Sequence, residues 1–241
     1  MSNSSINMIT NVAEIKEPLQ LDSGDVIKEY NLKYETYGKL NQDKNNAVLI
    51  CHALSGNHHA AGRYDNDRKL GWWDNMIGPN KPIDTNKLYV VCLNNLGGCH
   101  GSTGPTSKDP STKKIYGSSF PIVTVSDWVR SQKELMKYLD IPSWRFIVGG
   151  SLGGMQAFQW TIQYPRLVQN CIVIAAARCS SLYNFCSYFA DGCFKFIFVA
   201  IVDGGFGCVD EISFIVYIYY FLLDFIYKFF KLNISNNMFC R

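Results

Sequence analysis

The sequence predicts an α/β fold, a mostly parallel β-sheet with helices packed on it. Three observations carry this. Short continuous apolar runs recur as AVLIC at 47–51, LYVVCL at 88–93, FIV at 146–148 and CIVIAA at 171–176, as expected of strands covered on both faces. Helical patterns separate the last three runs, and strands alternating with helices indicate parallel pairing with right-handed crossovers. With 241 residues, 47% hydrophobic and 18% charged, the chain can bury a full core in one globular domain.

In chain order, residues 19–37 read as two strands around a turn. Leu21-Asp22-Ser23-Gly24-Asp25 supplies turn residues, and Ile27, Tyr30, Leu32, Tyr34 and Tyr37 the apolar positions. The runs at 47–51 and 88–93 follow. A loop rich in Gly, Ser, Pro and Thr then extends to about residue 126, a length that in a compact domain usually serves function. Ser126 is the expected cap of a helix through Trp128, Leu135, Met136 and Leu139, which share a face at helical spacing. Asp127 near its start favours the dipole, and Asp140-Ile141-Pro142 ends it. A second helix is expected from Leu152 to about Gln163, stopped by Tyr164-Pro165.

Composition narrows the function classes. Net charge is +3 and no Lys/Arg cluster is present, so nucleic acid is not an expected partner. The N-terminus is polar without an apolar signal segment, which points to the cytoplasm. Nine cysteines show no C-x-x-C pair. Cys51, Cys92 and Cys171 sit in strand-like runs and read as small buried hydrophobes in a reducing compartment, with no metal expected.

The chain changes character near residue 178. Residues 1–177 contain 16 aromatics, whereas the 64 residues of 178–241 contain 18, together with five of the nine cysteines. Phe, Tyr, Ile, Asn and Lys dominate there, as in AT-rich DNA read out of frame. The expected division is therefore a partial α/β core at 1–177 and a tail at 178–241 that is out of frame, disordered or aggregation-prone. Within the tail, 212–230 (ISFIVYIYYFLLDFIYKFF) is long enough for a membrane helix but is interrupted by Asp224 and Lys228. An unpacked tail, a core element and a membrane span all remain open, and any membrane association is confined to this segment.

Chemistry concentrates at Gly149-Gly150-Ser151-Leu152-Gly153, a G-x-S-x-G sequence between a strand pattern and a helix pattern. In that context it reads as a nucleophile elbow, a tight turn that lifts the serine Oγ out of the sheet. Glycines at 149 and 153 let backbone pass where side chains would clash. The helix N-terminus makes the Leu152 N–H an expected oxyanion donor. The second donor should come from the loop after the first apolar run, His52-Ala53-Leu54-Ser55-Gly56-Asn57-His58-His59, and Leu54 N–H is the candidate. All four histidines, 52, 58, 59 and 100, precede the serine. His52 reads as a structural hydrogen bonder, and His58 and His59 as lining the loop.

At these residues the chain closely resembles the homoserine O-acyltransferases, α/β-hydrolase-fold enzymes of methionine biosynthesis. The matching stretches are Tyr34-Glu35-Thr36-Tyr37-Gly38, HALSGNHHAAG (52–62), GWWDNMIGPNKPIDT (71–85), NNLGGCHGSTGP (94–105), FPIVTVSDWV (120–129) and GGSLGGMQAFQWTIQYP (149–165). The match runs from about residue 10 to about 177. The wording looks most like the proteobacterial branch, often succinyl-specific. The resemblance implies transfer of an acetyl or succinyl group from acetyl-CoA or succinyl-CoA, a co-substrate rather than a resident cofactor, to the hydroxyl of L-homoserine through a seryl acyl-enzyme. It implies Ser151 as nucleophile, Leu54 and Leu152 as backbone oxyanion donors, and residues 94–105 as the tunnel to the serine.

After residue 177 the family continues into a helical lid and returns with an aspartate and a histidine. None of these is matched here, so the expected fold is α/β-hydrolase-like but incomplete at the C-terminus, without lid or last core strands. The sheet edge beyond 171–176 should be exposed or covered by the tail. Without its base the serine loses about 10²–10⁴-fold. A poorly soluble chain with little or no transferase activity is predicted. The family's homodimer forms through the lid and is not carried over. The alternatives are another serine esterase of this fold, or a non-catalytic membrane-associated protein.

Overall fold

A computed structural model describes residues 6–65, 68–174, 176 and 195–199. The strands are β1 (Met8–Ile15), β2 (Leu19–Gln20), β3 (Val26–Ile27), β4 (Tyr30–Tyr37), β5 (Ala47–Cys51), β6 (Ile77–Gly78), β7 (Ile83–Asp84), β8 (Tyr89–Leu93), β9 (Phe146–Gly150), β10 (Asn170–Ile174) and β11 (Lys195–Val199). The helices are α1 (Val125–Tyr138) and α2 (Leu152–Gln163). Seven strands form one sheet in the order β1-β4-β8-β5-β9-β10-β11. The β1–β4 and β4–β8 pairs are antiparallel, and every pair from β8 to β11 is parallel. The α/β expectation and its apolar runs are thus borne out, and α2 has the expected bounds.

Two cores sandwich the sheet, and the alternation of strand side chains divides them. Ala47, Leu49 and Cys51 of β5 face the core containing Val129 and Leu135 of α1 and Ala157 and Trp160 of α2. Val48 and Ile50 face the opposite core, with Ala60, Ala61, Met76 and Ile83 of the segment between β5 and β8. Trp144 and Trp160, both fully buried, meet edge to face at 6.4 Å, a favoured aromatic geometry.

The cap of α1 differs from expectation. Thr124, not Ser126, is the N-cap: its hydroxyl accepts from Asp127 N–H, and the Asp127 carboxylate accepts from Thr124 N–H at 2.7 Å. This capping box satisfies two otherwise orphaned donors. The Ser126 hydroxyl instead accepts from Arg130 at 3.1 Å and from Gln163. The turn at 21–25 docks here too. Asp22 N–H donates to Asp127 at 3.0 Å and Thr124 Oγ1 donates to Asp22 at 2.7 Å. The Arg130 guanidinium, followed by Thr124, holds the Asp22 carboxyl below its ordinary pKa.

Two further points differ in detail. Residues 19–37 form a small β2–β3 hairpin plus the separate long strand β4, and β4 pairs with β1, a strand not evident in the sequence. At the other edge, β11, drawn from the tail, pairs parallel with β10 from Asn170↔Lys195 to Ile174↔Val199. That edge is therefore covered by the tail rather than exposed. The candidate membrane segment 212–230 lies outside the described residues, among which no helix is long and apolar enough to cross a membrane.

Candidate active site

The G-x-S-x-G sequence folds as a strand–turn–helix junction with one residue between the elements. β9 ends at Gly150, α2 begins at Leu152, and exposed Ser151 sits between them at φ 53°, ψ −122°. A left-handed φ on a non-glycine residue costs roughly 1–3 kcal/mol. The Ser151 N–H donates to Ile174 O of β10 at 2.9 Å, and its carbonyl accepts from Met155 N–H at 3.2 Å, which pins the turn from both sides.

The glycines have identifiable partners. A Cβ on Gly153 would lie 2.0 Å from Cys51 O, and one on Gly149 2.0 Å from Gly153 O. The first turn of α2 is therefore in backbone contact with the C-terminal end of β5 and with β9. That contact brings the loop after β5 beside the elbow. The loop turns tightly, with Gly56 N–H donating to Ala53 O at 2.9 Å. Leu54 stands at its apex, 83% exposed, and its N–H has no protein acceptor among the described residues. Leu152 is the first residue of α2, so its N–H has no acceptor within the helix.

A buried polar network lies beneath this pair of amides. On α1, Gln132 donates to Gln156 Oε1 at 2.6 Å and to Asn95 Oδ1 at 3.3 Å, and accepts from Trp160 Nε1 at 2.7 Å. The Gln156 amide nitrogen lies 3.4 Å from both His52 O and Leu152 O. Asn95 N–H donates to His52 Nε2 at 3.3 Å, while His52 Nδ1–H donates to Ala53 O at 2.7 Å. These two bonds fix a neutral imidazole, and burial lowers its pKa. His52 is thus the structural hydrogen bonder the sequence suggested.

His58 and His59 gather around Glu35, a fully buried carboxylate on β4. Glu35 accepts from Tyr37 Oη at 2.5 Å, Thr10 Oγ1 at 3.0 Å, His59 Nδ1 at 3.0 Å and Tyr64 Oη. His58 lies 3.9 Å from it, and burial pushes the His58 pKa down to about 4. Glu35 pairs with Cys92, Cys92 with Ile50, and Ile50 with Val148. Glu35 is thus three strands from β9, roughly 14 Å at ordinary strand spacing. His100 lies on the loop after β8. No histidine is hydrogen-bonded to Ser151 among the described residues.

Three buried cysteines, 51, 92 and 171, are free thiols whose pKa values burial raises, in keeping with a packing role. The 94–105 loop is anchored rather than loose. Asn94 N–H donates to Lys33 O and Thr103 N–H to Asn31 O, both at 2.8 Å, and Trp128 Nε1 donates to Leu96 O at 2.7 Å.

A family model described as alpha/beta hydrolase fold matches residues 46–191. The chain belongs to this family. This α/β hydrolase is 58% identical over 170 residues to a homoserine O-succinyltransferase of Hydrogenovibrio crunogenus, covering 70% of the chain and 44% of that protein. Homoserine O-acetyltransferase from Bacillus anthracis matches in structure with a TM-score of 0.68 at 36% identity, over 73% of this chain and 48% of the other. An acetylester hydrolase from Corynebacterium glutamicum matches with a TM-score of 0.61 at 30% identity, over 74% and 47%. The chain spans about half the length of the curated relatives it matches. The resemblance carried by the motifs agrees with these relatives.

Glu35, Gln132 and Gln156 have no expected role at the site in the sequence, and Asn95 has one only as part of the 94–105 stretch. Gln156 and Gln132 carry a usable signal. Each is a polar residue on the apolar face of an amphipathic helix, where burial demands a partner.

Proposed function

We propose that Ser151 is the nucleophile of an acyl transfer from acetyl-CoA or succinyl-CoA to L-homoserine. The observation that carries this is the strained serine at the strand–helix junction, with the Leu152 N–H and the Leu54 N–H of the adjoining loop lacking an acceptor among the described residues. Ser151 Oγ attacks the thioester carbonyl, and the carbonyl oxygen becomes an oxyanion that accepts hydrogen bonds from the two N–H groups. Each such donor is worth about 2.7–4 kcal/mol of barrier. The tetrahedral adduct collapses, the C–S bond breaks and CoA leaves as thiolate, the serine proton passing to solvent. The homoserine hydroxyl then attacks the acyl-serine, forming the new ester and returning Ser151. Acyl-CoA is consumed as co-substrate, with no resident cofactor in the cycle. The 94–105 loop borders the approach to the serine. Succinyl is the favoured donor, because the curated relatives carry that name.

The proton of Ser151 needs a base, and none of the four histidines is bonded to it among the described residues. Transfer by this chain is therefore slow, lower by about the 10²–10⁴-fold that general-base catalysis supplies. The same elbow with water as acceptor is an esterase, a second reading that the acetylester hydrolase match favours. Product partition decides between them. The chain is incubated with succinyl-CoA or acetyl-CoA, with and without L-homoserine, and products are followed by mass spectrometry. Acylhomoserine formed in place of the free acid supports transfer. Free acid alone, unaffected by homoserine, would establish the hydrolase and overturn the transferase.

A further inference from the structure

We infer that Gln156 is a positioning residue of the oxyanion hole, setting the distance between the Leu54 and Leu152 amides. The inference rests on the reading of those two amides as the oxyanion donors. The amides belong to different elements, the loop after β5 and the first turn of α2. Nothing in local chain geometry fixes their separation, so a tie between the elements is needed.

Gln156 supplies that tie. It sits one turn into α2, is fully buried, and its amide nitrogen lies 3.4 Å from both His52 O and Leu152 O. One carbonyl is two residues before the Leu54 donor, and the other belongs to the Leu152 donor itself. The two hydrogens of one NH₂ group therefore bridge the two halves of the hole. The orientation of the amide is fixed from behind, because Oε1 accepts from Gln132 at 2.6 Å. Gln132 is locked in turn by Trp160 and Asn95. Asn95 N–H reaches His52 Nε2, which closes the network on the same loop.

A core-filling side chain at this position would be apolar. A buried amide must recover its desolvation cost through its partners, and here those partners are the two oxyanion elements. The backbone contact of Gly153 with Cys51 brings the elements together. The amide selects their register.

The test uses the full chain with Gln156→Met, which keeps length and volume but loses both donors, and Gln156→Glu, which keeps the shape. Two readouts are taken. One is amide exchange at residues 52–57, with 30–37 as the reference. The other is the rate at which a fluorophosphonate labels Ser151. Gln156→Met should lower protection at 52–57 and slow labelling, each about 10-fold, short of the roughly 10²–10³-fold expected for outright loss of a donor. Exchange at 30–37 should not change. Gln156→Glu should come nearer the native chain at low pH, where its protonated carboxyl can donate to one of the two carbonyls. It should loosen the loop as pH rises and the carboxylate repels both carbonyls, opposite in sign to the native chain and Gln156→Met, in which His58 and His52 make protection fall only as pH is lowered.

Native-like exchange in both variants would overturn the inference. So would a loss of protection spread evenly over the sheet, or a Gln156→Glu loop that does not loosen as pH rises. If Gln156→Met does not fold, the pH profile of Gln156→Glu decides alone. Failure of Ser151 to label in the native chain would instead refute the nucleophile assignment, while the exchange data still decide the clamp.

Discussion

Replacing Gly153 by alanine separates a steric account of the elbow from a merely compositional one. The added Cβ would stand 2.0 Å from Cys51 O, 2.7 Å from Cys51 C and 3.0 Å from His52 O. Real Cβ contacts essentially never fall below 3.0 Å, so α2 and the end of β5 must separate by about 1 Å. All three opposing atoms are backbone, which cannot turn aside as a side-chain end would. Overpacking of this kind costs about 1–3 kcal/mol, and Gly153→Ala should reach the upper part of that range. A misplacement of about 1 Å at a reacting centre costs about 10²-fold in rate, so fluorophosphonate labelling of Ser151 should slow by that order. Gly150→Ala is the internal comparison for stability. Its Cβ would meet only Ile174 O at 3.8 Å and Ile174 Cβ at 3.9 Å, ordinary contact distances. Urea unfolding measures stability and labelling kinetics measure the site. A Gly153→Ala chain as stable and as reactive as the native one, or a Gly150→Ala chain equally destabilised, would show that the close approach of Gly153 to Cys51 does not shape the elbow.

Three further outcomes are expected. Thr124→Ala should cost about 1 kcal/mol in urea unfolding by removing the capping box of α1, and Ser126→Ala should cost less; the reverse order would restore Ser126 as the cap. Stability should fall between pH 7 and pH 5, because buried His58 titrates near 4 when folded and near its ordinary 6.5 when unfolded. The unfolded chain alone takes up the proton in that window, so stability is lost as pH falls. The loss is roughly 2 kcal/mol by pH 5, His52 acts in the same direction, and a flat urea midpoint would contradict this. Glu35→Ala should cost about 3–5 kcal/mol, the scale for breaking a buried, partnered charge, since it strands donors from Tyr37, Thr10, His59 and Tyr64; a loss below 1 kcal/mol would show the cluster is incidental.

The parts legible in the sequence were those whose signals are local. Apolar runs located β5, β8, β9 and β10, because buried parallel strands need apolar residues on both faces. The bounds of α2 follow from the elbow at one end and Tyr164-Pro165 at the other. The cap of α1 was misplaced among near neighbours. Thr124 and Ser126 are both able caps, but only Thr124 has a carboxylate three residues on, which the capping box requires. β1 carries little sequence signal because most of its residues are exposed and its buried set is small, chiefly Ala13 and Ile15.

At the site, the serine and its two amides sit at element junctions that sequence patterns mark. The Glu35 cluster and the Gln132–Gln156 network join residues distant in sequence. Burial of Glu35 follows from both faces of β4 being covered, and its partners from how the loop after β5 folds back over it. Neither is written in local pattern.

The central claim is that Ser151 is the acyl acceptor. Its most direct measurement is the mass of the peptide containing Ser151 after the chain is mixed with succinyl-CoA or acetyl-CoA. One acyl group is expected on that peptide, slow to form, absent in Ser151→Ala and removed by homoserine. An unmodified Ser151 peptide, or an adduct that survives Ser151→Ala, would contradict it.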